Sequence, residues 1–300
     1  MRVFDCFMFY NEFELLELRL NSLYDMVDYF VLVEADRTLN NKSKPFYFFE
    51  RRQEFKKFFP KLRYVKVDGD IDYKGVGDWS IEIAQRNAIS NGLQDAEPDD
   101  LIFISDLDEF PAIDILQRIN NRQAQLFANY RTPPIANNVL IPCQLLVQAV
   151  DFLEICPIVM SQKVHYYYFD WIADVTWNGT ILTKYKNLTT PQELRNLRNF
   201  LPCIWDGGHH FSYMGGADRV IDKMISIVDG NEMVVKSGGK FLEKEHVKKA
   251  MQKGTDIYER KNIPESQFKS YDVEKINLPY LKTFLTKYPY FLRQGDENLT

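Results

Sequence analysis

Four strand-length segments, Val3–Tyr10, Tyr29–Ala35, Leu62–Val67 and Leu101–Ser105, constrain this chain more than any other feature. Aromatic and branched aliphatic residues dominate the first, second and fourth, while Arg63 and Lys66 interrupt the third. Between the first two, Phe13, Leu16, Leu20 and Leu23 recur at three- and four-residue steps, which puts them on one face of a helix. Between the third and fourth, Asp78-Trp79 opens another helical stretch carrying Ile83, Ala84, Ala88 and Leu93, with Asp78 as its N-cap. The turn Glu97-Pro98-Asp99-Asp100 leads into LIFIS, a continuous apolar run that suits a strand covered on both faces. Strands alternating with helices predict an α/β class with a central sheet flanked by helices. We divide the chain into a half spanning residues 1–130 and a mixed half spanning 131–300. The latter is strand-rich and aromatic over Asn138–Tyr168. It turns helical from Ala217, where Val220, Met224 and Ile227 share a face, followed by Val247, Met251 and Tyr258.

Composition narrows the classes. With 45% hydrophobic residues over 300 positions, the chain can bury a full core. Net charge is −5 with signs interspersed, and no basic stripe precedes Lys236–Lys261. That stretch alternates with Glu and reads as a solvated helix face, so nucleic acid is not an expected partner. Met1–Cys6 shows no charged-then-apolar leader, and no run approaches the roughly 20 apolar residues that span a bilayer. A cytoplasmic chain without a membrane span is the expectation. Cys6, Cys143, Cys156 and Cys203 form no CxxC pair and read as free thiols.

The chemistry concentrates in Ser105-Asp106-Leu107-Asp108-Glu109-Phe110-Pro111, three carboxylates within four positions directly after LIFIS. In open α/β sheets ligands gather at the carboxyl ends of strands. On an extended segment Asp106 and Asp108 would point the same way. Their mutual repulsion would be relieved by a hard divalent cation, Mn²⁺ or Mg²⁺. Such an ion can bridge a nucleotide diphosphate and neutralise the charge that grows on it as it departs. The plain alternative is an acidic turn capping the helix that begins near Pro111.

A second cluster, Asp206-Gly207-Gly208-His209-His210-Phe211-Ser212-Tyr213-Met214-Gly215-Gly216, sets two histidines between glycine pairs. Glycines permit close backbone approach, and a neutral imidazole suits a divalent ion already held by carboxylates. A structural histidine in a loop is the competing reading.

In this order the segments resemble glycosyltransferase family 17, the β-1,4-N-acetylglucosaminyltransferase III-like family. Tyr10–Arg19 is similar to its N-E-x-D/E-L-L-x-x-R helix, Val27–Asp36 to its VVDxFVxxES strand, and Asp106–Pro111 to its D-x-D-E-I-P. Gly208–Tyr213 resembles its G-W-H-x-S-W/Y, with His209 where the family has Trp. The resemblance implies a GT-A-type fold, residues 1–130 binding a nucleotide sugar and residues 131–300 an acceptor. It also implies an inverting transferase that moves N-acetylglucosamine or another hexose from a UDP-sugar to a carbohydrate. By motif match Asp106 and Asp108 take the metal–diphosphate role and His210 is the family histidine, which its chemistry suits as a third metal ligand. Glu34 and Arg86 also match family positions, and their location suggests that they join the two aspartates at the donor. Inversion needs a general base at the acceptor hydroxyl, for which Glu109, Asp206 and Glu232 are candidates. The aromatics of His165–Trp171, with Trp177 and Trp205, either stack on sugar rings or belong to the core. Two rival classes remain. A Mg²⁺-dependent phosphohydrolase also sets DxD after an apolar strand, although Glu109 departs from its pattern. A non-catalytic carbohydrate-binding protein would need the aromatics but not the carboxylates.

Overall fold

The computed structural model describes residues 1–128, 143–144, 147–260 and 268–293. Among them twelve strands form one sheet: β1 Val3–Phe9, β2 Tyr29–Ala35, β3 Leu62–Val67, β4 Leu101–Asp106, β5 Glu109–Pro111, β6 Leu126–Ala128, β7 Cys143–Gln144, β8 Ile158–Tyr166, β9 Trp171–Lys184, β10 Cys203–Ile204, β11 Gly208–Ser212 and β12 Lys269–Ser270. The main path runs β3-β2-β1-β4-β9-β8-β10-β6-β7. Its first four strands are parallel, and β9 then joins β4 antiparallel, so the sheet is mixed and continuous across the boundary drawn near residue 130. The α/β class with a mixed central sheet is therefore what the chain adopts.

The four segments are the four parallel strands; β1, β2 and β4 are covered on both faces, whereas β3, at the sheet edge, is only partly buried. Phe30, Leu32 and Phe103 pack into one apolar cluster with the helix Phe13–Leu23. Their neighbours Val31, Val33, Ile102 and Ile104 pack into another with Ile89, Leu93 and Leu194. Side chains alternate across a strand, so burial on both sides removes the polar alternation and leaves continuous apolar runs. A third cluster, around Val220, Met224, Val247 and Met251, is built by helices Ala217–Ser226, Val228–Lys236 and Lys244–Lys253.

Some boundaries differ from expectation. The helix after Asp78 is Ser80–Asn87, continued by a 3-10 turn at Ala88–Gly92; Asp78 Oδ1 accepts the Ser80 N–H at 2.8 Å, with Trp79 at the cap position. The stretch 138–168 lies partly outside the described residues, and a short helix, Ala149–Phe152, interrupts it before β8. Tyr258 follows Gly254, which ends the preceding helix at φ +64°, yet it joins the same apolar cluster. Among the described residues no helix is long and apolar enough to cross a membrane.

Candidate functional site

Parallel registry sets the carboxyl ends of three strands side by side: Phe9 opposite Glu34, and Met8 opposite Asp106. A cleft of about 1400 Å³ opens there. Asp106, Asp108, Arg195, Arg198, His210 and Lys223 line it, and helix Ala217–Ser226 and strand β9 also contribute to its walls.

Asp106 ends β4, a two-residue turn follows, and β5 begins at Glu109. Because of that turn the two aspartates do not share one strand face. Asp106 accepts from Arg86 at 3.0 Å and from Arg195 at 2.7 Å, whereas Asp108 meets Lys223 Nζ at 2.6 Å and lies 3.6 Å from His210 Nε2. Burial pushes both carboxyls up, but Arg195 and Arg86 outweigh it at Asp106, and Lys223 and His210 at Asp108; both end well below the usual carboxylate range. Arg19, fully buried on the first helix, fixes the turn from behind. It forks onto Asp5 at 2.7 and 2.6 Å, and donates to Ser105 Oγ and to the carbonyls of Leu107 and Glu109. Each carbonyl so satisfied is a backbone group that a buried turn would otherwise leave unpaired.

The glycine–histidine segment is brought onto this turn. Strand β11 runs antiparallel to β5, pairing Gly208 with Pro111, His209 with Phe110 and His210 with Glu109. The Phe211 N–H donates to the Asp108 carbonyl at 2.8 Å. Gly208 adopts φ +133°, and a Cβ there would lie 2.0 Å from the Phe110 carbonyl oxygen. The glycine is what lets the two strands close. The two histidines then have different surroundings, as neighbours on a strand do. His210 faces the cleft, while His209 Nδ1 sits 2.9 Å from His165 Nε2. Burial lowers His165 to about 4 and His209 to about 3, so both are neutral near pH 7.

The other expected site residues stand behind the cleft or outside it. Glu34 is fully buried and takes Lys44 Nζ at 3.1 Å, the Phe48 N–H and the Tyr64 hydroxyl at 2.8 Å; Lys44, not Glu34, reaches the cleft. Arg86 is 2% exposed and bonds Glu82 and Gln192 as well as Asp106, so it holds a cleft residue and does not itself line the cleft. Glu109 is fully buried: its carboxylate accepts twice from Arg195, at 2.6 and 2.9 Å, from Trp177 Nε1 at 2.5 Å and from the Asp106 N–H at 2.9 Å. Every lone pair that could take an acceptor proton is already engaged. Asp206 and Glu232 pair with Lys163 and Lys236; neither carboxylate lines the cleft, although Lys163 does. Of the aromatics, Tyr166, Trp177 and Trp205 reach the cleft; His165, Tyr167, Phe169 and Trp171 are core.

The donor types of Asp108 and His210 fit a divalent ion, and His210 Nδ1 is buried without a partner. Asp106 is committed to two arginines. Among the described residues no three His, Cys, Asp or Glu side chains converge into a closed cage. Mg²⁺ sites that handle phosphates are of the open kind, using one or two carboxylates with phosphate oxygens and water completing the shell.

Three cations of this site, Arg195, Arg198 and Lys223, escaped the sequence reading. A signal for the first two exists: Thr190-Pro191-Gln192-Glu193 is a capping box with proline at the first helical position, and it starts helix Pro191–Leu197. From that start, positions 195 and 198 fall on one face.

Residues 1–129 match the model of glycosyltransferase family 17. Over 120 residues the chain is 32% identical to the β-1,4-mannosyl-glycoprotein 4-β-N-acetylglucosaminyltransferases of Rattus norvegicus and Homo sapiens. That match takes in 38% of this chain and only 22% of each relative. The likeness read from Tyr10–Arg19, Val27–Asp36 and Asp106–Pro111 thus holds, and over residues 1–129 this chain is similar to glycosyltransferase family 17.

Proposed function

We propose that this chain is an inverting glycosyltransferase of GT-A type that moves N-acetylglucosamine or another hexose from a UDP-sugar onto a carbohydrate. One observation carries the reading: the Asp106–Asp108 turn, at the carboxyl end of the parallel strands, meets His210 across the β5–β11 ladder inside the large cleft. Drug-sized ligands occupy roughly 300–1000 Å³, so about 1400 Å³ leaves room for an acceptor beside a donor. The likeness of residues 1–129 to named glycosyltransferases points the same way.

Asp108 and His210, with Asp106 on the same turn as Asp108, would hold Mn²⁺ or Mg²⁺. That ion, when bound, offsets the negative charge developing on the departing diphosphate. Arg195 and Arg86 keep Asp106 ionised, and Arg19 keeps the turn in place. Proton removal from the acceptor falls to a carboxylate with a free oxygen. Glu109 has none, and of the cleft-lining carboxylates among the described residues Asp229 alone makes no hydrogen bond or ion pair. Burial, then Glu232, raises its pKa, which favours proton acceptance. A phosphohydrolase working through an aspartyl phosphate would need a free nucleophilic oxygen on Asp106, yet both of its oxygens accept from arginines.

The test is a panel of nucleotide sugars assayed for nucleoside diphosphate release with Mn²⁺, with and without oligosaccharide acceptors. Release from one donor, lost in Asp108→Ala, supports the reading. Hydrolysis of simple phosphate esters with no nucleotide-sugar turnover sinks it.

A further inference from the structure

Among the described residues the cationic side chains around the Asp106 turn pair off, with one exception. Arg86 takes Glu82 and Asp106; Arg195 takes Asp106 and Glu109; Lys223 takes Asp108. Arg198 lines the same cleft, partly buried, and its side chain makes no hydrogen bond or ion pair with any described residue. Its guanidinium carbon lies 4.5 Å from the centroid of the Trp177 ring. That ring is itself fixed, because its Nε1–H donates to Glu109, and it packs on His210 with centroids 5.2 Å apart. The same indole therefore neighbours both Arg198 and the imidazole beside Asp108.

A guanidinium left in this position is costly unless an anion arrives. Arg195 sits three residues earlier on the same helical face, and like charges at that spacing repel. Burial first, and Arg195 next, lower Arg198 to about 10. Stacking on an indole holds the guanidinium plane while leaving its N–H fork open, and that fork matches phosphate oxygens two at a time.

We propose that Arg198, seated on Trp177, is a diphosphate-binding residue of the donor subsite, the protein cation that receives the anionic half of the nucleotide sugar. The assignment rests on the glycosyltransferase reading above. The diphosphate of a nucleotide sugar, esterified at both ends, carries two negative charges; Arg198 offers one open positive charge, and a divalent ion at Asp108 would supply the rest.

Calorimetric titration of uridine diphosphate and guanosine diphosphate, each with Mn²⁺, into wild type, Arg198→Gln and Arg198→Lys tests this. At least one diphosphate should bind wild type, weaken by about tenfold or more in Arg198→Gln, and recover in part in Arg198→Lys. Uridine or guanosine alone should bind the wild type and Arg198→Gln equally. Thermal midpoints within a few degrees of wild type show that the fold is kept. Equal diphosphate affinity in wild type and Arg198→Gln overturns the assignment while leaving the transferase reading standing. So does a loss confined to a sugar acid such as glucuronate, which would make Arg198 an acceptor contact. Absence of any nucleoside diphosphate binding by wild type removes both.

Discussion

Lys223 Nζ lies 2.6 Å from Asp108 Oδ2, on the carboxylate whose other close neighbour is His210. The second aspartate of the turn is thus neutralised by a side chain from a helix more than a hundred residues away. A divalent ion reaching Asp108 must compete with that ammonium, so lysine and metal oppose each other at one oxygen.

Lys223→Met should therefore bind Mn²⁺ more tightly than wild type and be less stable, by about 1–3 kcal/mol for the carboxylate left without its partner. Manganese titration followed by electron paramagnetic resonance, alongside urea denaturation, checks both directions. Weaker Mn²⁺ binding in Lys223→Met would mean that the lysine supports the metal and does not compete with it.

Glu109 and Asp229 separate a structural carboxylate from a reactive one. Glu109→Gln removes the charge opposite Arg195 inside a buried network and should cost about 3–5 kcal/mol of stability. Asp229→Asn touches no described partner and should unfold like wild type, bind donor like wild type, and lose transfer to acceptor by about 100-fold or more. The pairing of denaturation midpoints with turnover decides the roles. A stable Glu109→Gln protein that binds donor but is inactive would return the base to Glu109.

These contrasts also mark what the sequence could and could not disclose. Strands β1, β2 and β4 were readable because double-sided burial writes itself as continuous apolar runs, and the Asp106–Glu109 turn because three carboxylates follow one of them. Direction of pairing was not readable. That Gly208–Ser212 would lie along Glu109–Pro111 depends on a contact roughly a hundred residues apart, for which local pattern carries no signal. Glu34 and Glu109 looked available because spacing locates a carboxylate but not the tyrosine, tryptophan or arginine that occupies its oxygens. Arg195 and Arg198 lie beyond residues 1–129 and in none of the segments that resemble the family, and only the capping box at Thr190 pointed to their helix.

The His165–His209 pair sets an acid limit on stability. His165 Nδ1 lies 2.8 Å from the Phe169 carbonyl, which can only accept, so the proton sits on Nδ1 and the Nε2 lone pair accepts from His209 Nδ1–H. Both folded-state pKa values, about 4 and about 3, are below the unfolded value of 6.5. Between pH 6.5 and 4 the unfolded chain binds more protons, and stability falls as pH falls, by about 1.4 kcal/mol per pH unit for each histidine. Above pH 6.5 their contribution is fully present. Denaturation from pH 7.5 to 4.5 should show this slope, and His209→Phe should remove about half of it. An unchanged slope in His209→Phe would assign the acid sensitivity elsewhere.

Gly208 controls whether the two halves of the site meet. Its φ of +133° is open to glycine and strained for any other residue, and an added Cβ would sit 2.0 Å from the Phe110 carbonyl oxygen and 2.8 Å from the Ala112 nitrogen. Neither atom is the end of a flexible side chain, so Gly208→Ala must move β11 away from β5. The register that sets His210 opposite Glu109 would be lost with it. Strain and lost pairing together should destabilise the protein by about 2–4 kcal/mol. The local consequence is more diagnostic: amide exchange should accelerate across Gly208–Ser212 and Glu109–Pro111 while β1 and β2 stay protected. Diphosphate and Mn²⁺ binding should fall together, because the variant separates His210 from Asp108 without touching either side chain. A Gly208→Ala protein with wild-type exchange in β11 and wild-type Mn²⁺ affinity would show that the ladder does not assemble the site.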